Sequence, residues 1–282
     1  MYKIIDGKEV SLFIKEQIKK ETEQLKSRGV TPGLAVILVG DDPASHVYVN
    51  NKKKACEFCG FHSESYELSG DTTEKELLEL VNKLNADENI HGILVQMPLP
   101  GHLDPDIVIN TIRPDKDVDA FNPYNVGKIM LGEYDFLPCT PAGVMRLLDE
   151  YGIDPEGKSC VVVGRSSIVG KPLAMLMVQR NATVTISHTH THNLKAKCRR
   201  ADILVTAAGQ VGLITGDMIK EDAVVVDVAI NRNEKGELCG DVVYDEALEK
   251  VSYITPIPGG VGPMTRAMLM ENALKAARMH GK

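Results

Sequence analysis

Apolar positions along this chain follow two alternating patterns: stretches with helical spacing, and short runs that are apolar throughout. Residues 7–28 place Val10, Phe13, Ile14 and Ile18 on one helical face, and Gly29 ends the stretch. GLAVILVG (33–40) is a continuous apolar run ending in glycine, as a strand buried on both faces would be. Asp41, Asp42 and Pro43 then open a helix running to about Cys59, with proline in its first turn. FHSESYEL (61–68) alternates as a second strand, and 72–85 is a charged amphipathic helix. IHGILVQMPLP (90–100) is a third strand entering a proline-rich loop. Residues 114–141 are rich in Pro, Gly, Asn and Asp without periodicity, and read as functional loops near a domain boundary.

A helix near 141–151 links to a second alternating block: SCVVVGR, KPLAMLMVQR, ATVTISH, ADILVTAAG and AVVVDVAIN. Residues 264–279 read as a final helix. Repeated strand–helix units predict an α/β protein with parallel sheets and helices on both faces. We expect two α/β domains, 1–140 and 141–265, with a C-terminal helix at 266–282 packing back on the first.

Composition narrows the classes. A chain of 282 residues with 43% hydrophobic and 25% charged residues is a globular protein of about two domains, not a fibrous or disordered one. The net charge of −7 and the absence of Trp weigh against a nucleic-acid binder. The start, MYKIIDGKEV, carries no secretory pattern, and no run is long and apolar enough to cross a bilayer; a cytosolic address without a membrane partner is expected. Six scattered cysteines read as reduced thiols.

The strongest motif is VVVGRSSIVGKP (161–172). A buried strand ends at Gly164, and Pro172 fits the first turn of a helix. Gly164 permits a tight turn, and Gly170 lets the helix start approach the strand. The free N–H groups suit a pyrophosphate. The spacing is G-x-S-x-x-x-G rather than G-x-G-x-x-G, so an ordinary strand-to-helix turn is the alternative. The next strand was read over 182–192, ATVTISHTHTH, and lacks the carboxylate that would accept from an NAD ribose. Arg165 and Ser166 in the turn suit a 2′-phosphate instead, which favours NADP. His188, His190 and His192 would share a face on a strand, a minor candidate for metal; Cys56 and Cys59 form a C-x-x-C without a second pair. No metal is assigned.

In the first block, Ser45, Tyr48 and Lys52 lie on one helical face. A Tyr one turn from a Lys can hold the amine, and a partly buried Lys can move protons. On these residues alone a solvated basic face, Lys52–Lys54, is the favoured reading. Gln96 ends a buried strand, where ligands bind in open α/β sheets. Asp117 and Asp119 are loop carboxylates that could equally be turn residues.

Taken together, YVNNK (48–52), VQMPLP (95–100), PDKDVD (114–119), PYNVG (123–127), PCTPAG (138–143), VVVGRSSIVGKP (161–172) and TPIPGGVGPMT (255–265) resemble the bifunctional methylenetetrahydrofolate dehydrogenase/methenyltetrahydrofolate cyclohydrolase family. The resemblance spans essentially the whole chain, in the family's order. It implies oxidation of 5,10-methylenetetrahydrofolate with NADP, then hydrolysis of the methenyl product to 10-formyltetrahydrofolate. It implies a folate-binding catalytic domain, a Rossmann-like NADP domain, a cleft between them, and a homodimer.

Carried over, Lys52 is the catalytic lysine, Tyr48 its partner, Gln96 the glutamine that tunes it, and Asp119 the carboxylate that holds the pterin. Pro98, Leu99, Pro258, Gly259, Gly260 and Pro263 join Tyr48, Gln96 and Asp119 in lining the folate. Gly164, Arg165, Ser166, Ile168, Gly170, Thr189, Ala208, Gly209 and Ile230 hold the cofactor.

Four positions depart from the family pattern. Ala120 and Asn122 replace the Gly and His of Gly-Phe-His, Val211 replaces Pro, and Ala229 replaces Gly. Ala120 bears on the loop of Asp119, since alanine takes positive φ at a cost. Two alternatives stay open on the residues: a dehydrogenase with weak cyclohydrolase activity, and a non-catalytic NADP-sensing or metal-binding module on the same fold.

Overall fold

The computed structural model describes residues 2–281. The chain begins β1 (Lys3–Ile4), α1 (Gly7–Lys26), β2 (Gly33–Val39), α2 (Pro43–Cys59), β3 (His62–Leu68), α3 (Glu74–Ala86) and β4 (Gly92–Val95). Three helices follow: α4 (Pro105–Thr111), α5 (Pro123–Leu131) and α6 (Cys139–Glu150). Next come β5 (Ser159–Val163), α7 (Gly170–Gln179), β6 (Thr183–Ser187), α8 (Leu194–Cys198), β7 (Ile203–Thr206) and β8 (Ala223–Asp227). The chain ends with β9 (Asn231–Arg232), β10 (Leu238–Cys239), α9 (Tyr244–Leu248), β11 (Val251–Ile254) and α10 (Val261–His280). These elements form two compact units, one of residues 12–137 and 266–282, the other of 1–11 and 138–265.

The unit of 12–137 and 266–282 holds a three-stranded parallel sheet in the order β3-β2-β4. All seven residues of the central β2 are buried, which is why its sequence is apolar without alternation. On one face Ile37 and Val39 meet Leu77, Val81 and Leu84 of α3. Each such side chain contributes about 1.5–3 kcal/mol when fully buried. Helix α2 starts where Asp42 Oδ2 accepts from the Ser45 N–H at 2.8 Å, and stops at Gly60, φ 76°. Helix α3 starts with a capping box between Thr73 and Glu76.

The other unit holds a six-stranded sheet in the order β1-β11-β8-β7-β5-β6, parallel throughout. From β5 the chain passes to β6 on one side and then to β7 on the other. That reversal opens a crevice at the carboxyl ends of β5 and β7, the usual place for a dinucleotide. Val161, Val163, Leu204 and Val225 form its core with Ile214 and Ile254.

Three features differ from the sequence reading. Lys3 and Ile4 pair in parallel with Tyr253 and Ile254, so the first residues stand with the second block rather than with the rest of 1–140. A two-residue strand is too short to show a period. The aperiodic 114–141 stretch contains α5, whose nine residues give little more than two turns of pattern. The strand read over 182–192 ends at Ser187, and His188–His192 form a turn. The three histidines therefore share no strand face: His188 Nδ1 instead accepts from the His190 N–H at 3.2 Å. Among the described residues no group of three or more His, Cys, Asp or Glu is placed to hold a metal ion.

Candidate active site

In the unit of 12–137 and 266–282, Lys52 and Gln96 come together although 44 positions apart. Lys52 Nζ donates to Gln96 Oε1 at 2.8 Å. Helix α2 carries the lysine, half buried, one turn after Tyr48, which is 41% exposed. Gln96 follows β4. Its N–H donates to Ile37 O at 2.8 Å and its Nε2 to Met97 O at 2.6 Å. With both amide groups held, Oε1 has one direction left, toward the lysine. Gln96 thus sits at the carboxyl end of a parallel sheet whose middle strand is flanked by later strands on both sides. Pro98 and Leu99 continue from it across a cis Met97–Pro98 bond. Ser45 is buried, and its N–H serves the helix cap.

The loop carrying Asp119 begins beside β4, where Asp117 forms a parallel bridge with Ile93. Asp117 is 2% exposed and accepts from the Asn122 N–H at 2.8 Å and Asn125 Nδ2 at 2.9 Å. Burial pushes its carboxyl up to about 6, against the pull of those two donors. Asp119 is half buried two residues on. Ala120 is buried and holds φ 56°, the left-handed region that alanine disfavours.

Asn122 uses all its amide groups: Oδ1 accepts from the Tyr124 N–H at 2.9 Å, and Nδ2 donates to Ile112 O at 3.1 Å and Ile109 O at 3.3 Å. Asn272 of α10 donates to Val118 O at 2.8 Å. Sequence reasoning passed over Asn122 as a structural residue. The Asn-Pro pair at 122–123 is the signal that marks it as a helix cap. Arg266 was also missed. Burial lowers its guanidinium, and the phenol of Tyr48 acts the other way.

In the other unit the 164–170 turn lies at the end of β5. Gly164 has φ 134°, and a Cβ there would stand 2.4 Å from Ala207 O; one at Gly170 would stand 2.3 Å from Gly164 O. The two glycines therefore let backbone, rather than side chain, line the crevice. Ser166 Oγ accepts from the N–H groups of Val169 and Gly170 at 3.2 and 3.3 Å. Arg165 and Ile168 are exposed on the turn, and Thr189 is exposed after β6. Loss of solvent holds the His188 imidazole below its usual range, and the positive charge of Arg165 adds to this.

Ala208, Gly209 and Ile230 are exposed at the ends of neighbouring strands. The buried Asp241 holds the first two: its carboxylate accepts from the N–H groups of Ala208 at 2.7 Å, Gly209 at 3.3 Å and Gln210 at 2.7 Å. Nothing in the sequence reading marked Asp241. Ala229 is buried, its N–H on Asp227 Oδ1, while Val211 is exposed. The loop 255–265 belongs to this unit as well. It contains a cis Ile257–Pro258 bond and Gly259 at φ 114°, and a Cβ on Gly260 would fall 2.6 Å from Pro256 O. Pro263 is half buried in the first turn of α10.

A glycine-backed crevice at a switch point, with an arginine and two hydroxyls at its mouth, fits an NADP molecule. Fold and site together define a two-unit α/β oxidoreductase, with a lysine–glutamine centre on one unit and a dinucleotide cradle on the other.

Comparison with known proteins narrows this class. Residues 5–119 match the tetrahydrofolate dehydrogenase/cyclohydrolase catalytic domain, and 138–281 match the NAD(P)-binding domain of the same family. The bifunctional protein FolD of Acetivibrio thermocellus is 59% identical over 280 residues, covering 99% of this chain and 98% of the relative. The FolD methylenetetrahydrofolate dehydrogenase/cyclohydrolase structure from Campylobacter jejuni superposes with a TM-score of 0.98 at 51% identity, covering 99% of each chain. The Trypanosoma brucei enzyme, complexed with NADP and an inhibitor, gives 0.96 at 39% identity over 100% of this chain and 99% of its own. The chain belongs to the tetrahydrofolate dehydrogenase/cyclohydrolase family.

Proposed function

We propose that in this chain both activities of the family run around one amine, Lys52 Nζ. The activities are the NADP-dependent oxidation of 5,10-methylenetetrahydrofolate to 5,10-methenyltetrahydrofolate, and the hydrolysis of that product to 10-formyltetrahydrofolate. The observation that carries the reading is the 2.8 Å bond from Lys52 Nζ to Gln96 Oε1.

The two steps ask different things of the protein. Oxidation moves a hydride and no proton, so it needs the folate ring held in contact with its acceptor. NADP, when bound, supplies that acceptor. Tyr48, Asp119, Pro98 and Leu99 hold the folate head group, with Asp119 accepting from its amide and amino groups. Gly164, Ser166, Ile168, Gly170, Ala208, Gly209 and Ile230 hold the dinucleotide, and Arg165 with Thr189 takes the 2′-phosphate.

Hydrolysis adds water to the methenyl carbon. The new C–O bond forms, the bond from that carbon to N5 opens, and one proton is released. Lys52 Nζ takes this proton from the water. An amide oxygen stabilises an ammonium less than a carboxylate would, so Gln96 holds the amine in place while leaving it able to be neutral. The same reading makes the protein a cytosolic homodimer without a nucleic-acid partner. The net charge of −7 supports the last point. No helix among the described residues is long and apolar enough to cross a membrane.

An absorbance time course tests this. Protein, 5,10-methylenetetrahydrofolate and NADP are mixed, with NAD as control, and reduced cofactor and methenyl product are followed separately. Reduced cofactor should grow without lasting methenyl. Methenyl that decays only at its uncatalysed rate would leave a dehydrogenase alone. No reduction with either cofactor would overturn the enzyme assignment.

A further inference from the structure

We infer that Asp117 and Asn122 are positioning residues for folate binding: together they hold Ala120 in the left-handed region and so hold Asp119 where it meets the substrate. The inference rests on the assignment of Asp119 to the folate head group. Ala120 is the hinge of the loop. It follows Asp119 directly, is buried, and has φ 56°. An alanine disfavours that region by enough to depopulate it severalfold to more than tenfold when nothing opposes it. Released, the peptide would swing to negative φ, and the Asp119 carboxylate would move with it.

What opposes release is a set of hydrogen bonds on both sides of the hinge. Before it, Asp117 is fixed by its bridge to Ile93, and the Ala120 N–H donates to Asp117 O at 3.1 Å. After it, the Asn122 N–H donates to Asp117 Oδ2 at 2.8 Å, which closes the loop on itself. Asn122 Nδ2 ties the loop to Ile109 O and Ile112 O at the end of α4, and its Oδ1 anchors the start of α5. Asn125 Nδ2 reaches both Asp117 Oδ2 and Pro114 O at 2.9 Å. A side chain that donates to two carbonyls and caps a helix at once must be an amide; an imidazole has too few groups. Asn122 therefore suits an alanine at 120, because it adds restraint where the alanine removes ease.

A population argument makes this testable. If only a fraction of the protein holds the left-handed hinge, the apparent affinity for folate falls by that fraction. Asn122→Ala should raise KM for 5,10-methylenetetrahydrofolate about tenfold, with KM for NADP within about twofold and kcat within about threefold. Adding Ala120→Gly should return the folate KM to within about threefold of the parent, because glycine enters positive φ freely. A residue that merely supports the fold would not be rescued by a glycine two positions away.

Asp117→Ala, which removes the acceptor of both the Asn122 N–H and Asn125 Nδ2, serves as a second probe. It should show the same KM split and the same rescue, should Asn122→Ala fail to fold. An unchanged folate KM in either folded variant, or a double variant no better than the single one, would overturn the inference. Absence of turnover in the unmodified protein would sink the underlying assignment instead, and the two failures are thus distinct.

Discussion

The roles proposed for Lys52, Gln96 and Arg165 follow from what holds each side chain. The bond between Lys52 and Gln96 joins α2 to the residue after β4 and is fixed by two further bonds of Gln96, from its N–H to Ile37 O and from its Nε2 to Met97 O. Arg165 is different: it sits exposed on the glycine turn. The contribution we propose for it is charge, offered to a 2′-phosphate that NAD lacks. Arg165→Ala should raise KM for NADP by about tenfold or more with kcat little changed, since a charge-assisted bond is worth about 1.5–3 kcal/mol. The kcat/KM ratio of NADP to NAD measures this, and an unchanged ratio would remove Arg165 from cofactor choice. Cys56 and Cys59 do not share in any such chemistry. Burial pushes their thiols up to about 11 and 12, so both stay protonated and unreactive.

At the scale of elements, legibility followed length. The long helices α1 and α10 and the largely apolar strands β2, β5 and β8 carry enough positions to show a period or a run, and their places were readable within a few residues. Helix α5 was not, because nine residues hold little more than two turns and Pro, Asn and Gly masked them. The histidine tract misled for another reason: alternating Thr and His look like a strand edge, yet Thr191 Oγ1 accepts from the His188 N–H and folds the segment into a turn. Lys52, Gln96 and the glycine turn were legible as parts. The braces behind them, Asp117, Asn122 and Asp241, were not, because a buried carboxylate or amide that binds distant backbone leaves no local pattern.

The glycine turn yields the sharpest test at this scale. Gly164→Ala would drive a Cβ to 2.4 Å from Ala207 O and hold alanine at φ 134°. Titration with reduced cofactor, followed by its fluorescence, should show binding weakened at least tenfold. Gly101→Ala, where nothing lies within 4 Å, should bind as the parent does. Equal binding by both variants would mean that the turn does not cradle the dinucleotide.

The whole molecule carries buried titratable groups that pull stability in opposite directions with pH. His91 is 6% exposed, its Nδ1 accepts from the Gly33 N–H at 3.0 Å, and it stacks on His280. It lines a cavity of about 990 Å³ at the amino end of the sheet, away from Gln96. Burial pushes its imidazole down to about 4, so the fold favours the neutral ring. The stability this gives is present above about pH 6.5 and is lost as pH falls toward 4, by about 3 kcal/mol in all. Asp117 and Asp227, raised to about 6 by burial, act the other way and favour the fold as pH falls from 6 to 4.

Comparing parent and variant isolates the histidine. The urea midpoint should drop more between pH 7 and pH 5 in the parent than in His91→Gln, which can still accept from Gly33. Equal drops would show that His91 does not titrate as a buried neutral group.

The account as a whole stands on Lys52 serving a step that moves a proton and a step that does not. Lys52→Met removes the acceptor while leaving the aliphatic stem. The decisive measurement is the same two-signal time course on this variant, alongside the parent. The account predicts that methenyl hydrolysis falls by about 100-fold to 10,000-fold, the usual worth of a general base, while cofactor reduction falls less, so that methenyl accumulates. Hydrolysis that keeps pace with reduction in the Lys52→Met protein would contradict it.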